Sequence, residues 1–175
     1  MGGAIIAASG CRGTSDPLAD EAPQVRDQEA TVNALELMKT DHDRLKELLD
    51  EALDTDEPTE RSELLHQIRS ELMSHERMEE DVFYPALRSN AAATEIVLEG
   101  YEEHHVIDTI LDELMDVPEE SEQWKAKLKV LQENIENHIE EEEGEMFKKA
   151  RQTFDNDALE KLGARMAAAK EEASA

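Results

Sequence analysis

The chain has 175 residues, enough for one domain with a tail, and carries 44 acidic against 18 basic side chains, a formal net charge of −26. A surface of that sign repels phosphate backbones and anionic membranes, which sets nucleic-acid binding aside. Aromatic residues make up only 3% and Ala, Leu and Glu abound, so the composition favours helices over a sheet, and the single Cys11 excludes an intrachain disulfide or a cysteine-based zinc or iron–sulfur site.

Residues 1–28 read as a tail. Ala8-Ser9-Gly10-Cys11 fits a bacterial lipobox, in which Cys11 would be lipidated and would tether the chain to the cell envelope. The apolar run before it is short and no Lys or Arg precedes it. A second reading therefore stands beside the first: a disordered tail with one free thiol on a cytoplasmic protein. Residues 12–28 are polar, lack a helical stripe and read as linker.

The folded domain is expected over residues 29–170. Its apolar residues repeat at alternating steps of three and four, the spacing of a bundle-facing stripe. Leu35, Met38, His42, Leu45 and Leu49 form the first seam; Leu65, Ile68, Leu72, His75, Glu79, Val82 and Ala86 form the second. Val97, Tyr101, His104, Ile107, Leu111 and Leu114 form the third; Trp124, Leu128, Leu131, Ile135, His138 and Glu142 form the fourth. Turn signals at Asp54–Pro58, Ser89-Asn90 and Asp116–Pro118 separate them. Short connections make neighbours antiparallel, so the pattern predicts an all-α, up-down-up-down four-helix bundle. The residues after Phe147, through Leu159, Leu162 and Met166, predict a short extra helix against one end.

Each seam is interrupted by a histidine, and the second and fourth add a glutamate four residues later. Residues four apart share one helix face. An unpaired buried carboxylate or imidazole costs several kcal/mol, so six at matching depth need a common partner, and a metal centre supplies one. An internal repeat supports this reading. Asp41 to Glu51 aligns with Glu103 to Glu113, and Ser74 to Arg88 aligns with Asn137 to Arg151. Two helical hairpins related by a pseudo-twofold would set two half-sites face to face, which suits two metal ions. The ligand set is then His42, His75, Glu79, His104, His138 and Glu142. Nitrogen and oxygen donors without thiolate suit iron, manganese or zinc. With both glutamates bridging, each ion has two histidines, two carboxylate oxygens, and room for a solvent bridge and an open position. Open positions in a dry core favour iron over structural zinc.

At these residues the chain resembles the hemerythrin-like (HHE cation-binding) family. The matching pieces are Asp41-His42-Asp43-Arg44-Leu45, His75-Glu76 to Glu79 followed by Phe83-Tyr84-Pro85-Ala86-Leu87, Glu103-His104, and His138 to Glu142 with Phe147. The resemblance covers roughly residues 31–168. It implies two iron ions, oxo- or hydroxo- and carboxylate-bridged, in a protein that binds or senses dioxygen or a related small oxidant. Two alternatives are a di-iron enzyme that oxidises ferrous iron or consumes peroxide or nitric oxide, and a structural metal-binding bundle. The oxygen carriers of that family have two histidines four apart on the third helix; here Asp108 follows His104 at that spacing. Their last helix has an aspartate five residues after its histidine, where this chain has Glu143; Glu142 is preferred because it aligns with Glu79. Losing the fifth imidazole makes the site richer in oxygen and more open. Of the remaining candidates, Glu76 and His105 are expected in solvated or outer positions, His66 at the surface, and Tyr84 and Tyr101 in the core.

Overall fold

Periodicity of three and four becomes helix throughout. In the computed structural model, which describes residues 32–173, helix α1 spans Ala34–Asp54. Asn33 caps it, its Oδ1 accepting a 3.0 Å hydrogen bond from the Leu35 amide, one of the orphan donors of the first turn. Helix α2 covers Pro58–Met78, with proline in the first turn, where its missing N–H costs nothing. It continues through a π-helical turn, Glu79–Phe83, into a last α-helical turn, Tyr84–Leu87. A 3₁₀ turn, Ala91–Ala93, leads to α3, Thr94–Met115. Helix α4 covers Glu122–Glu141, capped by Ser121 Oγ on the Trp124 amide at 3.1 Å. It repeats the device of α2: a π-helical turn, Glu142–Met146, then Phe147–Thr153. Helix α5 spans Asn156–Ala173. Residues 1–28, with Cys11, lie outside the described residues. Among the described residues, no helix is long and apolar enough to cross a membrane.

Helices α1 to α4 form the expected all-α, up-down-up-down bundle, and α5 is the extra C-terminal helix. The core has two apolar layers. One contains Leu45, Leu49, Ile68, Leu111, Trp124 and Leu128. The other contains Met38, Met78, Phe83, Val97, Phe147 and Met166. In every seam the histidine falls between residues of the two layers, so the polar plane is closed off above and below. Each fully buried leucine contributes roughly 1.5–3 kcal/mol. The layers therefore give the bundle stability of its own.

The extra C-terminal helix is shorter than each helix of the bundle, as expected, and packs on one of the two core layers. It has 18 residues and lies along α1 and α2, with Leu159, Leu162 and Met166 packed into the layer that holds Met38 and Met78. Gly163 permits that approach, since a Cβ there would collide with the backbone oxygen of Val32 and stand 2.8 Å from the Ala34 nitrogen. Helix α4 also runs past Phe147 to Thr153 before the break.

One expectation needs correction, and it concerns register. A seam running from Glu79 through Val82 to Ala86 assumes an unbroken α-helix. The π-helical turn inserts one residue, so Leu87 is buried and Ala86 only half-buried. Each turn closes with an i to i+5 bond, Tyr84 N–H to Glu79 O and Phe147 N–H to Glu142 O. Pro85 has no N–H to donate and loosens the ladder in α2. No proline stands at the corresponding place in α4, and what the turns share is the buried glutamate that begins each.

Candidate metal centre

Antiparallel packing brings the four seams to one plane, and all six sequence-predicted residues arrive there buried. None of His42, His75, Glu79, His104, His138 and Glu142 is more than 4% exposed. They fall into two half-sites. In the first, donor atoms of His42, His75, Glu79 and Glu142 all lie within 4.8 Å of one another. In the second, those of Glu79, His104 and His138 do, without Glu142. Glu79 spans the two: its Oε1 stands 2.9 Å from His75 Nε2 and its Oε2 stands 3.3 Å from His104 Nε2. Glu142 behaves differently from the expected bridge. Only its Oε2 turns to the histidines, 3.3 Å from His42 Nε2 and 3.6 Å from His138 Nε2. Its Oε1 accepts a 2.8 Å hydrogen bond from the Tyr84 hydroxyl.

These separations are short, yet five of the atoms have no hydrogen-bond partner: His42 Nε2, His75 Nε2, both oxygens of Glu79 and Glu142 Oε2. Buried polar atoms are otherwise paired, and leaving one unpaired costs about 1–3 kcal/mol or more. Imidazole nitrogens and carboxylate oxygens that converge in a buried plane are what a cation requires. The residues present therefore fit a metal centre.

The outward face of each imidazole supports this. His42 Nδ1 meets Glu143 Oε1 at 3.0 Å, and His75 Nδ1 meets Asp41 Oδ2 at 3.4 Å. His104 Nδ1 meets Glu80 Oε1 at 2.9 Å, and His138 Nδ1 meets Glu103 Oε2 at 2.8 Å. A carboxylate on Nδ1 holds the proton there and turns the Nε2 lone pair inward, the usual support of a metal-bound histidine. The four partners obey the sequence repeat. Asp41 and Glu103 each precede a seam histidine, and Glu80 and Glu143 each follow a seam glutamate. That adjacency was the available signal for them, and periodicity alone missed it.

Electrostatics ties the cluster together. Burial pushes the His75 imidazole down, but Glu79 and Asp41 together outweigh it and raise it to about 10. Burial also opposes charge on His104, and Glu79 and Glu80 overcome it, lifting it well above the usual range. For Glu79 burial again opposes charge, yet His75 and His104 hold the carboxyl well below its ordinary value. Without a cation, protons on His75 and His104 offset the charge of the buried Glu79.

Of the other candidates, His66 and His105 are exposed, as expected. Glu76 is not solvated: it is 6% exposed, its Oε1 has no partner, and burial pushes its carboxyl up to about 8. Tyr84 is a core residue as expected, but its hydroxyl reaches into the site, 3.3 Å from His104 Nε2. Tyr101 is half-buried and donates to the Glu80 carbonyl oxygen at 3.3 Å. Beside the second half-site, a cleft of about 1060 Å³ is lined by Glu95, Glu99, Glu102, Glu103, Glu140 and Glu141 among others.

Comparison with known proteins agrees with this geometry. The family model "Hemerythrin HHE cation binding domain" matches residues 33–150. The chain is 24% identical over 139 residues to a protein of Nostoc sp. (strain PCC 7120) described as a DNA nickase, a match covering 79% of this chain but only 39% of that one. It therefore spans about two fifths of the Nostoc protein. It is 32% identical over 141 residues to the uncharacterized protein Rv2633c of Mycobacterium tuberculosis, across 78% of this chain and 84% of that one. Among solved structures it is similar to the Hemerythrin HHE cation binding domain-containing protein of Mycobacterium kansasii, with a TM-score of 0.74 and 30% identity, covering 82% of this chain and 88% of that one. With a match over most of its length and the helical His/Glu cluster that such a domain needs, the chain belongs to the hemerythrin HHE cation-binding domain family.

Proposed function

We propose that the chain is a non-haem di-iron protein that binds or senses dioxygen or a related small oxidant, with His42, His75, Glu79, His104, His138 and Glu142 as the metal ligands. The observation that carries this reading is the set of five unpaired buried donor atoms in a plane sealed by two apolar layers. Four imidazoles and two carboxylates are too few to saturate two octahedral ions, which leaves positions for a small ligand. Donors of nitrogen and oxygen suit iron, and the open positions favour it over structural zinc. Iron held there supplies electron transfer at an open coordination position. The chain's own residues do the rest. Asp41, Glu80, Glu103 and Glu143 keep the Nδ1 protons in place, the apolar layers exclude bulk water, and the Tyr84 hydroxyl provides one donor inside the site.

A second reading is favoured by that hydroxyl. A proton donor beside an oxygen-rich metal pair suits an enzyme that oxidises ferrous iron or consumes peroxide or nitric oxide. One experiment separates the readings. The protein is loaded with ferrous iron without oxygen, exposed to oxygen, and then stripped of it, with absorption followed throughout. A visible band that vanishes on removal supports a carrier or sensor. A permanent ferric spectrum supports the enzyme. Failure to hold iron would contradict both and leave a structural metal bundle.

A further inference from the structure

The two half-sites come from one repeated pattern, so a residue that differs between the repeats and touches the ligands can make them unequal. The shift that carries Glu79 onto Glu142 carries Tyr84 onto Phe147. The rings are also equivalent in space. Tyr84 stacks on His104 at 5.5 Å and 17°, and Phe147 stacks on His42 at 6.4 Å and 19°. The histidine pairs match as well, His42 with His75 at 4.8 Å and 71°, His104 with His138 at 4.7 Å and 68°. Between these two rings, what breaks the symmetry is one hydroxyl group.

We propose that Tyr84 sets the order in which the half-sites take up cations: by holding Glu142 Oε1 it leaves four donors around His42 and His75 and three around His104 and His138, so the first cation enters the former. This rests on the two-ion reading above. Three of the five unpaired atoms belong to the first half-site and, unlike Glu79, are not shared with the second. His42 Nε2, His75 Nε2 and Glu142 Oε2 lack partners, whereas His104 Nε2 lies 3.2 Å from His138 Nε2 and 3.3 Å from the Tyr84 hydroxyl. With Glu80 accepting from His104 Nδ1, the hydroxyl hydrogen can go to Glu142 at 2.8 Å or to His104 Nε2, and the shorter bond to the carboxylate wins. The chain makes room for this arrangement. A Cβ at position 100 would stand 2.6 Å from the Tyr84 hydroxyl oxygen, and Gly100 has none. The second half-site is thus the one left short of protein donors, and the exogenous ligand would find its opening there.

The test is a stepwise titration of the full apo chain with Co²⁺, followed by calorimetry and by cobalt absorption. Wild type is expected to bind two ions in two steps separated by about 10- to 100-fold, the usual range for a change in a ligand's outer partner. His75→Ala should remove the tight step and His138→Ala the weak one. Tyr84→Phe keeps the ring and its stack on His104, frees Glu142 Oε1, and should draw the steps together. Gly100→Ala retains the phenol but displaces its hydroxyl, and should act in the same direction. Equal steps in wild type, loss of the tight step in His138→Ala, or an unchanged gap in Tyr84→Phe would each overturn the proposal. So would a strong phenolate-to-iron band on ferric loading that disappears in Tyr84→Phe, because the oxygen would then sit on metal and not on Glu142. Binding of fewer than two ions per chain would instead remove the two-ion reading beneath it.

Discussion

The half-site of His42 and His75 differs from that of His104 and His138 chiefly in what surrounds it. In the first, both outer carboxylates have a lysine: Lys39 lies 3.0 Å from Glu143, and Lys170 lies 2.6 Å from Asp41. In the second, among the described residues, no Lys or Arg is ion-paired with Glu80 or Glu103. The first is flanked by α5, which brings Lys170; the second faces the acidic cleft. One duplicated ligand pattern has thus been placed in two electrostatic settings. The lesson is that a repeat fixes which atoms point inward, while the residues outside it decide how alike the two positions are.

The most severe way to break the comparison is to remove the residue both halves share. Glu79→Ala should weaken cation binding at both positions by more than about 100-fold, beyond what loss of an outer partner costs. Cobalt titration checks this, and a variant that kept one tight site would mean Glu79 belongs to one half only. Its helical signal should persist, because the apolar layers do not depend on the metal; circular dichroism reads that directly.

Gly163→Ala attacks the first half-site from outside. The new Cβ meets the backbone at Val32 and Ala34, so α5 must shift, at a cost of about 1–3 kcal/mol. Thermal unfolding should show the loss. The same variant should weaken the His42–His75 position more than the other, since Lys170 moves with α5.

Acidity should act on both halves together. Protons on His75, whose pKa is raised to about 10, and on His104, raised well above its ordinary value, must leave before a cation binds. Affinity should therefore rise with pH through neutrality, with proton release visible in calorimetry as a dependence on buffer ionisation enthalpy. For the apo protein the sign reverses. The His75 contribution is complete below the ordinary 6.5 and fades as pH rises through about 10, while that of Glu79 is present above its ordinary 4.5 and is lost on acidification. Apo stability from this cluster should peak between those two ordinary values. Chemical denaturation across pH measures it.

The smallest effect belongs to Lys170→Met. Its ammonium is partly exposed, so solvent screens it. Loss of Asp41's cation should change affinity at the His42–His75 position by a few-fold and leave the second position unchanged in the same cobalt titration.

Much of this was legible in the sequence because helical periodicity reports directly on facing. His42, His75, His104 and His138 each interrupt an apolar seam at one depth, and the repeat selects Glu142 over Glu143. What was not legible depends on geometry that periodicity does not carry. The π-helical turns shift the register by one residue, which moved the seam from Ala86 to Leu87. Asp41 and Lys170 are 129 positions apart and meet only because α5 folds back along α1 and α2. Glu76 read as solvated or in an outer position because its repeat partner is Ile139, and the packing of α2 decides for burial. Tyr84 read as a core ring, correctly, but nothing in the spacing said where its hydroxyl would go.

The most direct measurement is the Mössbauer spectrum of the protein loaded anaerobically with ferrous iron-57, with iron counted per chain. Two irons per chain and two ferrous doublets of equal area are the predicted result, one for each half-site. A single doublet at two irons per chain would contradict the inequivalence, and fewer than two irons would contradict the di-iron centre itself.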